Sequence, residues 1–81
     1  KGPYRYREGD RVRLKPNKEE GWEEEFGTVL EDQDGEPGKV AQLLLCVEVD
    51  EEYRVNDGCY DDGIREVAYE DLELVAVRGH T

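Results

Sequence analysis

The sequence lacks most of the side chains that enzymes use for covalent catalysis. It contains no serine, and its two threonines are Thr28 and Thr81. The single histidine, His80, is the penultimate residue, in a tail that we expect to be frayed. A serine triad is therefore excluded, and a cysteine–histidine pair would depend on that tail. This inventory predicts a protein that is not an enzyme and that binds no cofactor.

Metal ligands are also scarce. Cys46 and Cys59 are the only thiols, too few for a structural zinc site, which takes four cysteine or histidine ligands in closely spaced pairs. We expect two reduced thiols in an intracellular domain, nuclear or cytoplasmic, with Cys46 in the core of a strand; a disulfide is the alternative. Asp32, Asp34 and Glu36 lack the spacing of a calcium loop, which favours a solvated acidic loop. We predict no metal site.

Long apolar runs are absent, and the chain is short. No stretch approaches the roughly 18 apolar residues that a membrane span needs, so we predict no membrane partner. A chain of 81 residues predicts a single domain, 1–81, with a thin core, which excludes a doubly wound nucleotide-binding fold or a two-domain enzyme. The sequence starts Lys-Gly-Pro-Tyr, without an initiator methionine. We therefore expect a monomeric domain excised from a larger protein.

Charge is abundant and unevenly distributed. The chain has 22 acidic and 11 basic residues, a formal net charge of −11. Residues 1–15 carry six basic and two acidic side chains, whereas residues 16–62 carry three basic and sixteen acidic ones. An acidic field repels phosphate backbones and anionic lipids, so it disfavours nucleic acid and favours cationic partners. The alternative interpretation is a solvated face that keeps the domain soluble.

Hydrophobic periodicity predicts strands. In residues 11–15, Val12 and Leu14 alternate with basic side chains, which is the period-two pattern of a half-buried strand. Similar short apolar runs occupy residues 26–31, 40–50, 64–69 and 72–77. In the longest run, Leu43, Leu45, Val47 and Val49 share one face, and we expect Leu45 and Val47 to be buried. Residues 70–71 suit a tight turn.

Turn residues separate these runs. Gly9-Asp10 precedes the first strand, Gly35-Glu36-Pro37-Gly38 separates the second from the third, and Asn56-Asp57-Gly58 and Asp61-Asp62-Gly63 precede the fourth. Five short strands with such spacers predict an all-β fold, a small five-stranded, partly open barrel.

Three motifs carry a resemblance to known domains. Residues 8–15 (EGDRVRLK), 27–31 (GTVLE) and 64–75 (IREVAYEDLELV) resemble the opening, second and closing strands of SH3-like barrels of the Tudor kind. The resemblance covers most of the chain and implies an SH3-like, Tudor-like open barrel. It also implies a binding module for basic or methylated peptides.

Two neighbouring families of the same superfamily are also similar. GDRVRLKP followed by GW resembles the repeats of Mind bomb-type ubiquitin ligases, and EDQDGEPGK and EYRV resemble parts of the related Mind bomb/HERC2 domain at a different spacing. VEVDEEYRVNDG resembles the glycine-rich signature of CAP-Gly domains, but Val55 stands where that signature has lysine. CAP-Gly domains capture acidic tails, and the acidic middle of this chain would repel them.

A Tudor-like function requires a cage of aromatic rings that holds a methylated cation by cation–π contact beside a carboxylate. The candidate rings are Trp22 and Phe26, around the first connection, and Tyr53 and Tyr60, between the third and fourth strands. The candidate carboxylates are Asp57, Asp61 and Asp62. The alternative places Phe26 in the core and leaves the two tyrosines to cap an open end of the barrel.

The sequence therefore predicts a non-catalytic module that recognises a basic or methyl-lysine-containing peptide, such as a histone-like tail in chromatin. The main alternative is a substrate-recruiting or scaffolding barrel of a ubiquitin ligase, which would dock a protein segment without reading a modification. A CAP-Gly-like module and an accessory domain that packs on its own parent chain are further alternatives.

Overall fold

The computed structural model describes residues 4–19, 21, 23–36, 39–40, 43–54 and 62–77, with only the backbone at 35–36 and 39–40. The strands in these residues are β1 (Arg11–Leu14), β2 (Glu25–Val29), β3 (Gly35–Glu36), β4 (Lys39–Val40), β5 (Leu44–Val49), β6 (Ile64–Ala68) and β7 (Leu72–Ala76). Two 3-10 turns, Glu51–Tyr53 and Tyr69–Asp71, follow β5 and β6.

Five of the strands form one antiparallel sheet in the order β6-β5-β2-β1-β7. The first strand, β1, lies between β2 and the last strand, with Leu14 opposite both Glu25 and Leu72. Strands β6 and β7 are the two edges of the sheet, so the barrel is open. The structure thus confirms the predicted all-β, five-stranded open barrel.

The core follows the alternation of the strands. Inward residues of β1, β2, β5 and β7 join Tyr6 of the N-terminal segment in one buried cluster, which comprises Tyr6, Val12, Leu14, Val29, Leu45, Val47, Val49 and Leu72. Leu45 and Val47 are fully buried, as predicted. The outward face of the same strands is mixed, with the charged side chains Arg11, Arg13, Glu48 and Glu73 among apolar and small polar ones.

The predicted strand at 40–50 is shorter than its apolar run. Val40 belongs to the small β3–β4 hairpin, and β5 starts at Leu44. Leu43 was expected beside Leu45 on the buried face but is 65% exposed, because it precedes the strand. Its carbonyl accepts a 2.7 Å hydrogen bond from the Tyr69 amide, so its backbone still pairs with the chain after β6.

Gly27 lies opposite Val49, where β2 pairs with β5. A Cβ atom at this position would lie 2.6 Å from the Glu48 carbonyl oxygen and 2.9 Å from a Val47 methyl group. Real Cβ atoms do not approach backbone oxygens this closely, so a side chain here would push the two strands apart. Glycine is therefore required by packing, since its φ is not positive.

Candidate functional site

The structure describes Phe26, Tyr53 and Asp62 among the predicted peptide-binding residues. The other four lie outside the described residues: Trp22, Asp57, Tyr60 and Asp61. The Asn56-Asp57-Gly58 segment, on which the CAP-Gly resemblance depends, lies outside them as well.

Phe26 and Tyr53 come together on the outer surface of the sheet. Phe26 points outward from β2, because the inward positions on either side are Glu25 and Gly27. The Asp50 amide donates a 2.9 Å hydrogen bond to the Phe26 carbonyl, which fixes the start of the 3-10 turn that ends at Tyr53. The two ring centroids are 6.3 Å apart, and the ring planes are tilted by 37°. Both side chains are half-buried, and Tyr53 also packs against the core.

Carboxylates surround this aromatic pair. Burial raises the pKa of the Tyr53 phenol, and negative charges nearby raise it further. The charges belong to Glu52, Asp50, Glu24 and Glu25. These charges favour a cation over an anion near the Tyr53 ring, and three of the four carboxylates are also paired with arginines.

Two arginines of β1 pair with some of these carboxylates. Arg11 forms a bidentate pair with Asp50, at 2.9 and 2.7 Å, and also donates a 2.8 Å hydrogen bond to the Thr28 hydroxyl. This contact lowers the pKa of Asp50. Arg13 pairs with Glu24 and, at 3.4 Å, with Glu73. Arg11 and Arg13, from the basic N-terminal stretch, are thus paired with carboxylates from the acidic part of the chain and from β7.

Asp62 has a structural contact in the described part of the chain. Its Oδ1 atom accepts a 2.9 Å hydrogen bond from the Ile64 amide, two residues later, and the side chain remains exposed. The next residue, Gly63, has φ of +78° and its carbonyl accepts a 2.8 Å hydrogen bond from the Val49 amide. Asp62 therefore organises the start of β6.

A groove of about 330 Å³ runs along β6, on the inner side of the sheet. Its lining comprises all of β6 together with Leu14, Lys15, Asn17, Glu23, Glu25 and Asp71. The Arg65 Nε atom lies 4.0 Å from the Glu25 Oε1 atom, and these side chains are only 18% and 16% exposed. The sequence analysis missed this groove, because it forms between residues 14–25 and residues 64–71, which are far apart in the chain.

Three tyrosines form a second cluster that sequence reasoning also missed. Tyr6 makes edge-to-face contacts with Tyr4 and Tyr69, with centroid distances of 5.0 and 5.6 Å. The Tyr69 hydroxyl donates a 2.6 Å hydrogen bond to the Tyr4 carbonyl. The spacing of Tyr4 and Tyr6 is the period-two signal that could have predicted an inward tyrosine. This cluster attaches the N-terminal segment to the second 3-10 turn.

Cys46 is a free thiol in β5, but it is not in the strand core. It lies half-buried on the outer face, because the inward positions belong to Leu45 and Val47. Burial raises the pKa of its thiol, and the neighbouring Glu31 carboxylate raises it further. Cys59 lies outside the described residues.

The described ranges contain no cluster of three or more histidine, cysteine, aspartate or glutamate side chains suited to a metal ion. Among the same residues, no helix is long and apolar enough to cross a membrane. Comparison of the chain with protein-family models, curated proteins and solved structures found no match. The geometry of the chain itself therefore carries the functional argument.

Proposed function

We propose that this domain is a non-catalytic binding module that recognises a basic peptide, with a methylated lysine as the preferred contact. The observation that carries the proposal is the aromatic pair Phe26–Tyr53, with a centroid separation of 6.3 Å, in an acidic surrounding. A quaternary ammonium group favours ring faces within about 6 Å and a carboxylate nearby. Two rings at this separation can contact one such group together.

The charges around the pair support a cationic ligand. In the described residues Glu51 and Glu52 are exposed and form no ion pair, unlike Asp50 and Glu24. An incoming lysine or arginine therefore meets the unpaired carboxylate of Glu52, whose charge acts on the Tyr53 ring. Exposed charges of this kind accelerate encounter and select the sign of the partner more than they add affinity.

The proposal is tested with two peptides of identical lysine-rich sequence, one of which carries a single trimethyllysine. We expect the wild-type domain to bind the methylated peptide several-fold more tightly, since each ring contact contributes about 0.5–2 kcal/mol. Tyr53→Ala and Phe26→Ala should each abolish this preference. Tyr53→Phe retains the ring and should retain the preference, and Val75→Ala, on the edge strand β7, serves as the control for unrelated surface changes.

Nuclear magnetic resonance spectra of each variant establish that the barrel is intact. Equal binding of both peptides by the wild type would refute the methyl-lysine preference and favour a docking module that reads no modification. Absence of binding to either peptide would refute the proposed function altogether.

A further inference from the structure

Strand β6 presents a row of backbone groups that no strand in the described residues covers. Among the described strands it pairs with β5 alone and forms one edge of the sheet. The Tyr69 amide bonds to the Leu43 carbonyl at one end of this ladder, and the Val49 amide bonds to the Gly63 carbonyl at the other. In an antiparallel pair, hydrogen-bonded and non-hydrogen-bonded positions alternate. Arg65 and Val67 therefore bond to β5, while Ile64, Glu66 and Ala68 direct their backbone groups away from it.

One end of this open edge is already closed. The Asp62 carboxylate accepts the Ile64 amide at 2.9 Å, and the Arg65 guanidinium donates to the Ile64 carbonyl at 3.4 Å. The Glu66 amide and carbonyl and the Ala68 amide remain directed to the open side. This open side is the groove described above, which is lined by all five residues of β6.

The groove lining indicates what kind of segment fits beside β6. Leu14 and Val67 provide apolar contacts on its inner side. Its lining contains four carboxylates but only two cationic side chains. Of these cations, Arg65 faces Glu25, and the Lys15 ammonium donates a 3.2 Å hydrogen bond to the Glu70 carbonyl. The exposed carboxylates of Glu23, Glu66 and Asp71 form no ion pair in the described part of the chain.

We propose that the groove along β6 is a second binding site, which takes an extended, basic segment of a partner protein as an added strand. Main-chain hydrogen bonds from Glu66 and Ala68 hold the segment, and alternate side chains then face opposite sides of the extended sheet. Apolar side chains point inward to Leu14 and Val67, and basic ones point outward to Glu66. A second copy of this chain is a poor occupant, because it would bring two chains of net charge −11 together.

The backbone conformation of Ala68 provides a specific test. Its φ is −67° and its ψ is 141°, which are values that proline adopts without strain. Since its amide points to the open edge, Ala68→Pro removes one edge donor and leaves the ladder to β5 intact. We expect the variant to keep the melting temperature of the wild type. Arg65→Pro is the opposite control, because it removes a ladder hydrogen bond and should unfold the edge.

The probe is a capped seven-residue peptide of alternating lysine and valine. The control peptide has glutamate in place of each lysine. We expect the lysine peptide to bind and the glutamate peptide not to bind. Ala68→Pro should weaken binding roughly tenfold, because it leaves a peptide carbonyl without its donor. Glu66→Gln, which retains the amide but removes the charge, should weaken it less and should reduce its dependence on salt.

Hydrogen exchange gives a second readout that needs no variant. Peptide binding should slow exchange at the Glu66 and Ala68 amides and leave the already bonded Arg65 and Val67 amides nearly unchanged. Uniform protection along β6, or equal binding of the lysine peptide by wild type and Ala68→Pro, would overturn the proposal. Dimers of the wild type that Ala68→Pro dissociates would also overturn it, in favour of self-pairing.

The site does not depend on the aromatic pair. Tyr53→Ala should therefore leave binding of the lysine–valine peptide unchanged, while Ala68→Pro should leave the methyl-lysine preference unchanged. Failure of one site is in this way distinguishable from failure of the other.

Discussion

The Tyr4 hydroxyl donates a 2.6 Å hydrogen bond to the Asp10 carboxylate, which is fully buried at the start of β1. The same Oδ2 atom accepts a 2.9 Å hydrogen bond from the Arg7 amide. A buried carboxylate is stable only when such donors replace water. The N-terminal segment thus forms part of the folded barrel, and its tyrosines are linked to a buried charge.

This linkage predicts a loss of stability at alkaline pH. Burial, together with Asp10, raises the pKa of Tyr4 from 10.0 to about 12. Burial, together with the charges of Tyr69 and Asp10, raises that of Tyr6 to about 12. Since the unfolded chain ionises first, the stabilisation is complete below pH 10 and is lost as pH rises to about 12. Thermal melts across this range should fall steeply.

The matched variants for this experiment are Tyr6→Phe and Tyr4→Phe. Each variant removes one phenol with a raised pKa. Its melting temperature should therefore fall less between pH 10 and pH 12 than that of the wild type, even if the variant is no more stable than the wild type below pH 10. An identical slope in all three proteins would show that other groups control the alkaline transition.

Leu45 and Leu43 provide a paired test of the core. Leu45 is fully buried, whereas Leu43 is 65% exposed only two residues away. Leu45→Ala should lower the free energy of unfolding by about 2–5 kcal/mol, and Leu43→Ala should change it by less than about 0.5 kcal/mol. Urea denaturation measures both. Equal losses would indicate that Leu43 and Leu45 share the buried face, contrary to the structure.

Gly27 and Gly21 separate crowding from backbone strain. Gly27→Ala places a methyl group 2.6 Å from the Glu48 carbonyl oxygen, so the strands must move apart at a cost of about 1–3 kcal/mol. Gly21 has φ of +76° and open space around its Cβ position, so Gly21→Ala should cost about 1–2 kcal/mol from backbone strain alone. The chemical shifts of β2 and β5 residues should change in Gly27→Ala but not in Gly21→Ala. Unchanged shifts in Gly27→Ala would contradict the close contact between the two strands at Gly27.

Binding of a lysine- and arginine-rich peptide should weaken as salt rises. Exposed charges are screened beyond about 10 Å at 0.1 M salt, and the carboxylates of Glu51 and Glu52 are exposed. Calorimetric titrations at low and high sodium chloride measure the dependence, and the double variant Glu51→Gln with Glu52→Gln should flatten it. A dissociation constant that does not change with salt would remove electrostatics from the mechanism.

Local patterns predicted β1, β5 and β7 well, because each of these strands turns alternate residues inward. Val12 and Leu14 show this clearly, and residues 70–71 were expected in the turn that the structure shows as Tyr69–Asp71. Periodicity could not locate the start of β5. The apolar run begins at residue 40, before Leu44, and its first residues are not on that strand. The boundary depends on pairing with β6, which no local pattern encodes.

The candidate site was predicted in part. Phe26 and Tyr53 were named from residue type, and their approach depends on the antiparallel pairing of β2 with β5. The pairing of Arg11 with Asp50, across 39 positions of the chain, was not foreseen. Counting charges along the sequence gives the net charge of each segment. It does not show that the sheet places the basic strand β1 between the acidic strands β2 and β7.

The position of β1 between β2 and β7 has a consequence for how the chain acquires its structure. The Leu14–Leu72 contact joins the first strand to the last across most of the domain. Pairings of such long sequence separation slow folding, because the loop must close before the contact is formed. During synthesis β1 leaves the ribosome before β7 does. Val12 and Leu14 are therefore incompletely covered until β7 has been made. Arg11 and Arg13, two of the six basic residues in positions 1–15, lie on β1 itself, and charged residues beside an exposed apolar run oppose its aggregation.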